Sequence, residues 1–238
     1  MTATEDYILQ YRNIALENER DYGIPASITL AQGIIESGSG RSALAKESNN
    51  HFGIKCHSSW TGKKTYKDDD KKNDCFRVYD NAEESFSDHS LFLSKNKRYN
   101  SLFSLDKNDY KSWAKGLKEC GYATNPNYAN LLIDIIELYE LDIVNTDSFY
   151  LIADNTRVEE KPVVEKEKEQ SPTPPVKEEK REVEKKKGLF ERMFGNTEWW
   201  KRRHETEQER KRREMDEKIQ KMIDEQDVHR NDFEVSFE

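Results

Sequence analysis

One carboxylate closes an apolar stretch near the start of the chain. In residues 30–41, LAQGIIESGSGR, an apolar run carries Glu36 and breaks at once into Ser37-Gly38-Ser39-Gly40. An acid in the last turn of a buried helix meets two effects that favour its protonated form: the negative end of the helix macrodipole and lost hydration among apolar neighbours. A carboxyl that keeps its proton near neutrality suits general acid catalysis. The plainer alternative is a helix-end glutamate paired to a nearby base such as Arg41.

A second acidic group follows in Asp68, Asp69 and Asp70. Two short β-prone runs, around KKTYK and CFRVY, flank DDDKKND and predict a small hairpin with an acidic tip. Alternation puts Tyr66, Asp68 and Asp70 on one face if the first strand extends that far. Three aspartates at a tip also describe a solvated turn, and the spacing and distal glutamate of a calcium loop are missing. No metal and no cofactor is expected. Cys56 and Cys75 flank the hairpin. A bridge between them would close a loop of about 20 residues, giving roughly 3 kcal/mol in the chain-entropy picture. It would require an oxidising compartment; the alternative is two reduced, buried thiols. Cys120, on a helix face beside Trp113 and Leu117, reads as a buried free thiol.

Helices must position these groups. Residues 4–22 place Tyr7, Tyr11, Ile14 and Asn18 on one side, with Ile8 and Ala15 adjoining, and Gly23 stops the run. The next helix starts near Pro25, carries Ile28, Ala31, Ile34 and Ile35, and has almost no charge before Glu36, the pattern of a buried helix. Gly38 or Gly40 stops it. After the hairpin, Asn81-x-x-Glu84 resembles a capping box and opens a helix to about Lys95 with Phe86, Ser90 and Leu93 on one stripe. His89 lies among them and reads as a satisfied core residue. NKRYNSLFSLD is a connector. Asp109 to Glu119 forms another helix with Trp113 and Leu117 inward, and Asn125-Pro126 starts a last one running to Leu141. The prediction is about five helices with one β excursion between the second and third.

The 238 residues average two populations. Residues 1–145 hold nearly all the apolar periodicity and form one domain. Residues 146–187 are a charged linker with an SPTPP core. Residues 188–238 are a charged tail, helix-prone or disordered, whose apolar stripe amounts to Met215, Ile219, Met222 and Ile223. Within the tail, GLFERMFGNTEWWKRR mixes aromatics with basic residues. It suits a membrane surface or an acidic protein partner, or else a solvated helix with no specific contact. The net charge of -8 argues against general nucleic-acid binding. MTATEDYILQ has no secretory signal pattern, and no run reaches transmembrane length.

Five pieces occur in order: AQGIIESGSGRS, NNHFGIK, W-x-G, FRVYD followed by E-S-F-x-D-H, and GYATNPNYA. Together they resemble the glucosaminidase family of peptidoglycan hydrolases over roughly residues 5–142. The resemblance implies an α+β, mainly helical, lysozyme-like fold with a small β-hairpin lobe and a cleft. It implies hydrolysis of the β-1,4 bond following N-acetylglucosamine in peptidoglycan glycan strands, with Glu36 of E-S-G as general acid. The family's second acid is commonly a glutamate on the β-lobe. None lies in this hairpin, so the resemblance leaves Asp68 or Asp70, or the substrate's own 2-acetamido group, in that role. Tyr122 matches the family's cleft tyrosine. Tyr128 and Trp60 are candidates for sugar stacking, and Asn50 and Phe52 for shaping the cleft floor. Such an enzyme works in the cell envelope, which sits against the missing signal pattern. A lytic transglycosylase on the same fold, or a non-catalytic peptidoglycan-binding factor, are the rival readings.

Overall fold

Thr2 starts the first helix. Its hydroxyl accepts from Glu5 N while the Glu5 carboxylate accepts from Thr2 N, a reciprocal cap. Helix α1 (Ala3–Tyr22) ends on Gly23, whose φ of 82° only glycine adopts easily. The computed structural model describes residues 2–57, 60–68, 72–144 and 205–226, without the side chains of 225 and 226. The expected linker at 146–187, the aromatic block from Leu189 to Trp200, and Asp70 lie outside the described residues.

Helix α2 (Ala26–Ser37) runs through the core with every residue buried. It packs against α1, and Gly33 allows the approach: a Cβ there would lie 2.5 Å from Tyr7 Oη. The helix stops at Gly38, which is left-handed with φ 59°. A short helix α3 (Ala43–Ser48) follows, capped by Ser42. One and a half turns carry too little period to be read from sequence.

Strands β1 (Lys64–Lys67) and β2 (Asp74–Arg77) pair antiparallel, with Tyr66 opposite Cys75 and Lys67 opposite Asp74. Lys55 bridges to Phe76 on the other edge of β2. Cys56 and Cys75 form a disulfide with Cα atoms 5.3 Å apart, and Cys56 N donates to Cys75 O. Strand β2 is thus held from both sides and sinks Phe76 into the protein. Arg77 ties it to the next helix by a 2.7 Å ion pair to Asp88.

Helix α4 (Ala82–Lys95) starts on Asn81, whose side chain accepts from Glu84 N. The connector is a 3-10 helix over Lys97–Ser104. Helix α5 (Tyr110–Glu119) buries Trp113, Ala114 and Leu117. Cys120, just past it, is a free, half-buried thiol. Helix α6 (Tyr128–Leu138) ends earlier than its apolar pattern suggests. Glu140 takes φ 53° and starts a separate 3-10 turn, Leu141–Ile143. The mainly helical architecture with one small hairpin agrees with the sequence reading.

Two compact units divide the chain: Met1–Thr156 with Lys211–Glu238, and Arg157–Arg210. The described part of the second is residues 205–210, where Thr206 and Glu209 cap each other. Helix α7 (Glu207–Gln226) continues from there. Beyond Lys211 its face of Met215, Ile219, Met222 and Ile223 joins the main core, with Ile219 fully buried. Among the described residues no helix is long and apolar enough to cross a membrane.

Candidate active site

Glu36 sits where the sequence puts it, in the last turn of α2, and only 9% of it is exposed. One turn earlier on the same face is Gln32. Gln32 Nε2 donates to Tyr128 Oη at 3.0 Å, and Tyr128 Oη donates to Glu36 Oε1 at 3.4 Å. Tyr128 is the first residue of α6, placed by the Asn125-Pro126-Asn127 turn, in which Asn125 Oδ1 accepts from Asn127 N. The acid is therefore held between two helices by a phenol that is itself held by an amide.

Tyr122 stacks on Tyr128, their rings 5.5 Å apart. Its loop is fixed from behind. Gly121 turns with φ 75°, and Lys118 Nζ donates to both Ala123 O and Thr124 O at 2.8 Å. The Tyr122 hydroxyl meets His89 Nε2 at 3.0 Å. His89 in turn stacks on Phe52, with rings 4.0 Å apart and nearly parallel. Burial first, and then the charge of Glu36, keep both phenols protonated far above ordinary tyrosine. The site is thus one carboxyl among neutral hydrogen-bonding groups.

Asn50 is fully committed to backbone. Its amide donates to Ile54 O and Arg77 O and accepts from Ile54 N, each at 2.9 Å. It fastens the NNHFGIK loop to β2 and so sets Phe52 under His89. Trp60 packs edge-on to Tyr79, with the Arg77 guanidinium 4.7 Å from its ring centre. Asp68 is exposed just past β1, and its Oδ1 accepts from Asn73 N at 2.8 Å. The structure thus gathers Glu36, Tyr122, Tyr128 and Phe52 into one cluster and adds Gln32 and His89 to it. The i,i+4 spacing of Gln32 and Glu36 was a usable signal for the first. For His89 the only hint was its place on the buried stripe of α4.

Burial pulls His89 down to about 3 and His51 to about 4, so both rings are neutral in the fold. An unfolded histidine titrates near 6.5. Below that value the unfolded chain binds more protons, so stability present above pH 6.5 is lost as the pH falls toward the folded values. By pH 5 each ring is expected to remove about 2 kcal/mol. A melting curve should therefore fall between pH 7 and pH 5, and less steeply in His89→Gln; equal melting temperatures at the two values would refute this.

A buried acid at a helix terminus and tyrosines beside it thus share a helical body with a disulfide-held hairpin. The chain belongs to the glucosaminidase family, whose profile, described as mannosyl-glycoprotein endo-beta-N-acetylglucosaminidase, matches residues 12–141. The glycoside hydrolase domain of FlgJ from Salmonella typhimurium has a similar structure. It is 30% identical with a TM-score of 0.52, and the match covers 64% of this chain and 98% of that one. The peptidoglycan hydrolase FlgJ of Vibrio parahaemolyticus is 31% identical over 147 residues, 57% of this chain and 47% of its own length. The exo-glucosaminidase LytG of Bacillus subtilis is 36% identical over 132 residues, 51% of this chain and 46% of its own. The chain spans about half the length of these two curated relatives.

Proposed function

We propose that the protein is an endo-β-N-acetylglucosaminidase that hydrolyses the β-1,4 bond after N-acetylglucosamine in peptidoglycan, with Glu36 as general acid. The observation that carries this reading is the Gln32–Tyr128–Glu36 chain of hydrogen bonds at the end of a wholly buried helix. Glu36 gives its proton to the glycosidic oxygen as the C1–O bond breaks and the sugar becomes oxocarbenium-like. Water then adds to C1, and its proton returns to Glu36. The Tyr128 hydroxyl can donate to the transient carboxylate. In this reading Tyr122, neutral and hydrogen-bonded to His89, donates to the N-acetyl group. Asn50 and Phe52 shape the floor, and Trp60 offers an aromatic face for a further sugar.

The cation at C1 is steadied by a hairpin aspartate, Asp68 or Asp70, or by the 2-acetamido oxygen of the sugar itself. The bond from Asn73 N to Asp68 supports the second, because it engages that carboxylate in its own turn. The reading also places the protein in the cell envelope, where the Cys56–Cys75 disulfide would persist. Incubation with purified sacculi tests it. Soluble muropeptides are expected; binding to sacculi without release would instead indicate a non-catalytic wall-binding factor.

A further inference from the structure

Beyond Lys211, helix α7 lies against the turn that follows the acid. Ile223 packs directly on Gly38, so closely that a methyl group at Gly38 would land on its Cδ1. Ile219, one turn earlier, is fully buried in the same core. Asp216, on the same face, accepts from Thr4 Oγ1, 212 positions away in sequence, and from Tyr139 Oη at 3.2 Å. Thr4 Oγ1 is also 2.7 Å from Ser39 Oγ. Arg212 completes the face with a 2.8 Å ion pair to Glu5. These polar anchors and Ile223 thus meet the start of α1, Tyr139 and the turn itself.

That turn is conformationally demanding. Gly38, Ser39 and Gly40 are all left-handed, with φ of 59°, 56° and 75°, and Ser39 has a Cβ to strain. Such a run persists only where its surroundings over-determine it. Within the turn, Ser37 Oγ donates to Gly33 O and accepts from Gly40 N. From outside, Thr4 holds Ser39, Asp216 holds Thr4, and Ile223 covers Gly38. Glu36 stands two residues before Gly38, so the angle at which α2 ends sets where its carboxyl lies.

We propose that Asp216, Ile219 and Ile223 are positioning residues for Glu36, and that the C-terminal helix is a brace built into the active site from outside the family domain. The proposal rests on Glu36 being the acid. The brace acts on the geometry of proton delivery and leaves sugar binding alone, so it belongs to kcat and not to KM. A displacement on the order of 1 Å at a reacting group lowers turnover steeply.

The test uses the full chain, with hydrogen exchange over residues 33–42 and steady-state kinetics on soluble peptidoglycan fragments. Ile219→Asp with Ile223→Asp puts two charges into the brace interface. The expected result is faster exchange across the turn and a roughly ten-fold fall in kcat at unchanged KM. Asp216→Ala should lower kcat roughly three-fold, and Asp216→Asn, which keeps the acceptor oxygen for Thr4, should restore it. Wild-type kcat and exchange in a double variant whose tail proteolysis shows to be released would overturn the proposal. So would a rise in kcat, the mark of a restraining helix. If the double variant fails to fold, the Asp216→Ala and Asp216→Asn pair decides by the same readouts. If the wild type itself releases nothing from peptidoglycan, the proposed function fails, and the exchange data still decide whether the helix orders the turn.

Discussion

Glu36→Gln is expected to lower muropeptide release by about a thousand-fold, within the range seen for loss of a general acid, while the fold is untouched. Glutamine has the shape of glutamic acid, and its Oε1 can still accept from Tyr128 Oη, which lies 3.4 Å from the native oxygen. The twelve buried residues of α2 keep their packing, and Gly38 still ends the helix. What disappears is a transferable proton. The melting temperature and far-ultraviolet spectrum should match the wild type, with a stability change under about 1 kcal/mol. Near wild-type activity in that variant would remove Glu36 from the mechanism. A collapse of the melting temperature would show that the carboxyl is there for structure.

The second large effect concerns the hairpin. Strands β1 and β2 have four residues each, and a two-stranded hairpin of that size is marginal alone. On its outer edge β2 is held by the Lys55–Phe76 bridge, by Cys56 N donating to Cys75 O, and by the disulfide itself. With its cysteines 19 positions apart, the bridge contributes roughly 3 kcal/mol in the chain-entropy model. Reduction, or Cys56→Ser with Cys75→Ser, should free the segment around Trp60 and lower the melting temperature by about 10 °C. Release of muropeptides should fall at least ten-fold, on the order of what a misplaced site wall costs. Helical content should hold, because Trp113, Leu132 and Ile135 lie on helices of the buried core and not on the hairpin. Activity indifferent to reductant would show that the hairpin takes no part in the reaction.

The acid and its helix could be read from sequence because both signals are local. An apolar period, a lone carboxylate and a glycine with φ 59° all fall within a dozen residues. The hairpin was legible for the same reason: β-formers on either side of DDDKKND became β1 and β2. The pairing of Tyr128 with Glu36 was not, because it spans 92 positions and depends on how α6 crosses α2. His89 was legible as buried, yet its bond to Tyr122 Oη depends on where α4 meets the loop after α5. The helix break at Glu140 was hidden by the unbroken apolar pattern around it, since a left-handed glutamate leaves no mark in composition. In α7 the stripe was visible as Met215, Ile219, Met222 and Ile223, but the glycine it covers lies almost the whole chain away.

The proposed reaction is hydrolysis after N-acetylglucosamine, driven by Glu36. Its most direct test is digestion of purified peptidoglycan by the full chain in water enriched in oxygen-18, followed by mass analysis of the products. Hydrolysis predicts muropeptides ending in a reducing N-acetylglucosamine that carries a single heavy oxygen from solvent, and none in the Glu36→Gln control. Unlabelled products ending in a 1,6-anhydro sugar would contradict it, because they would mean that a hydroxyl of the substrate, and not water, had attacked the sugar.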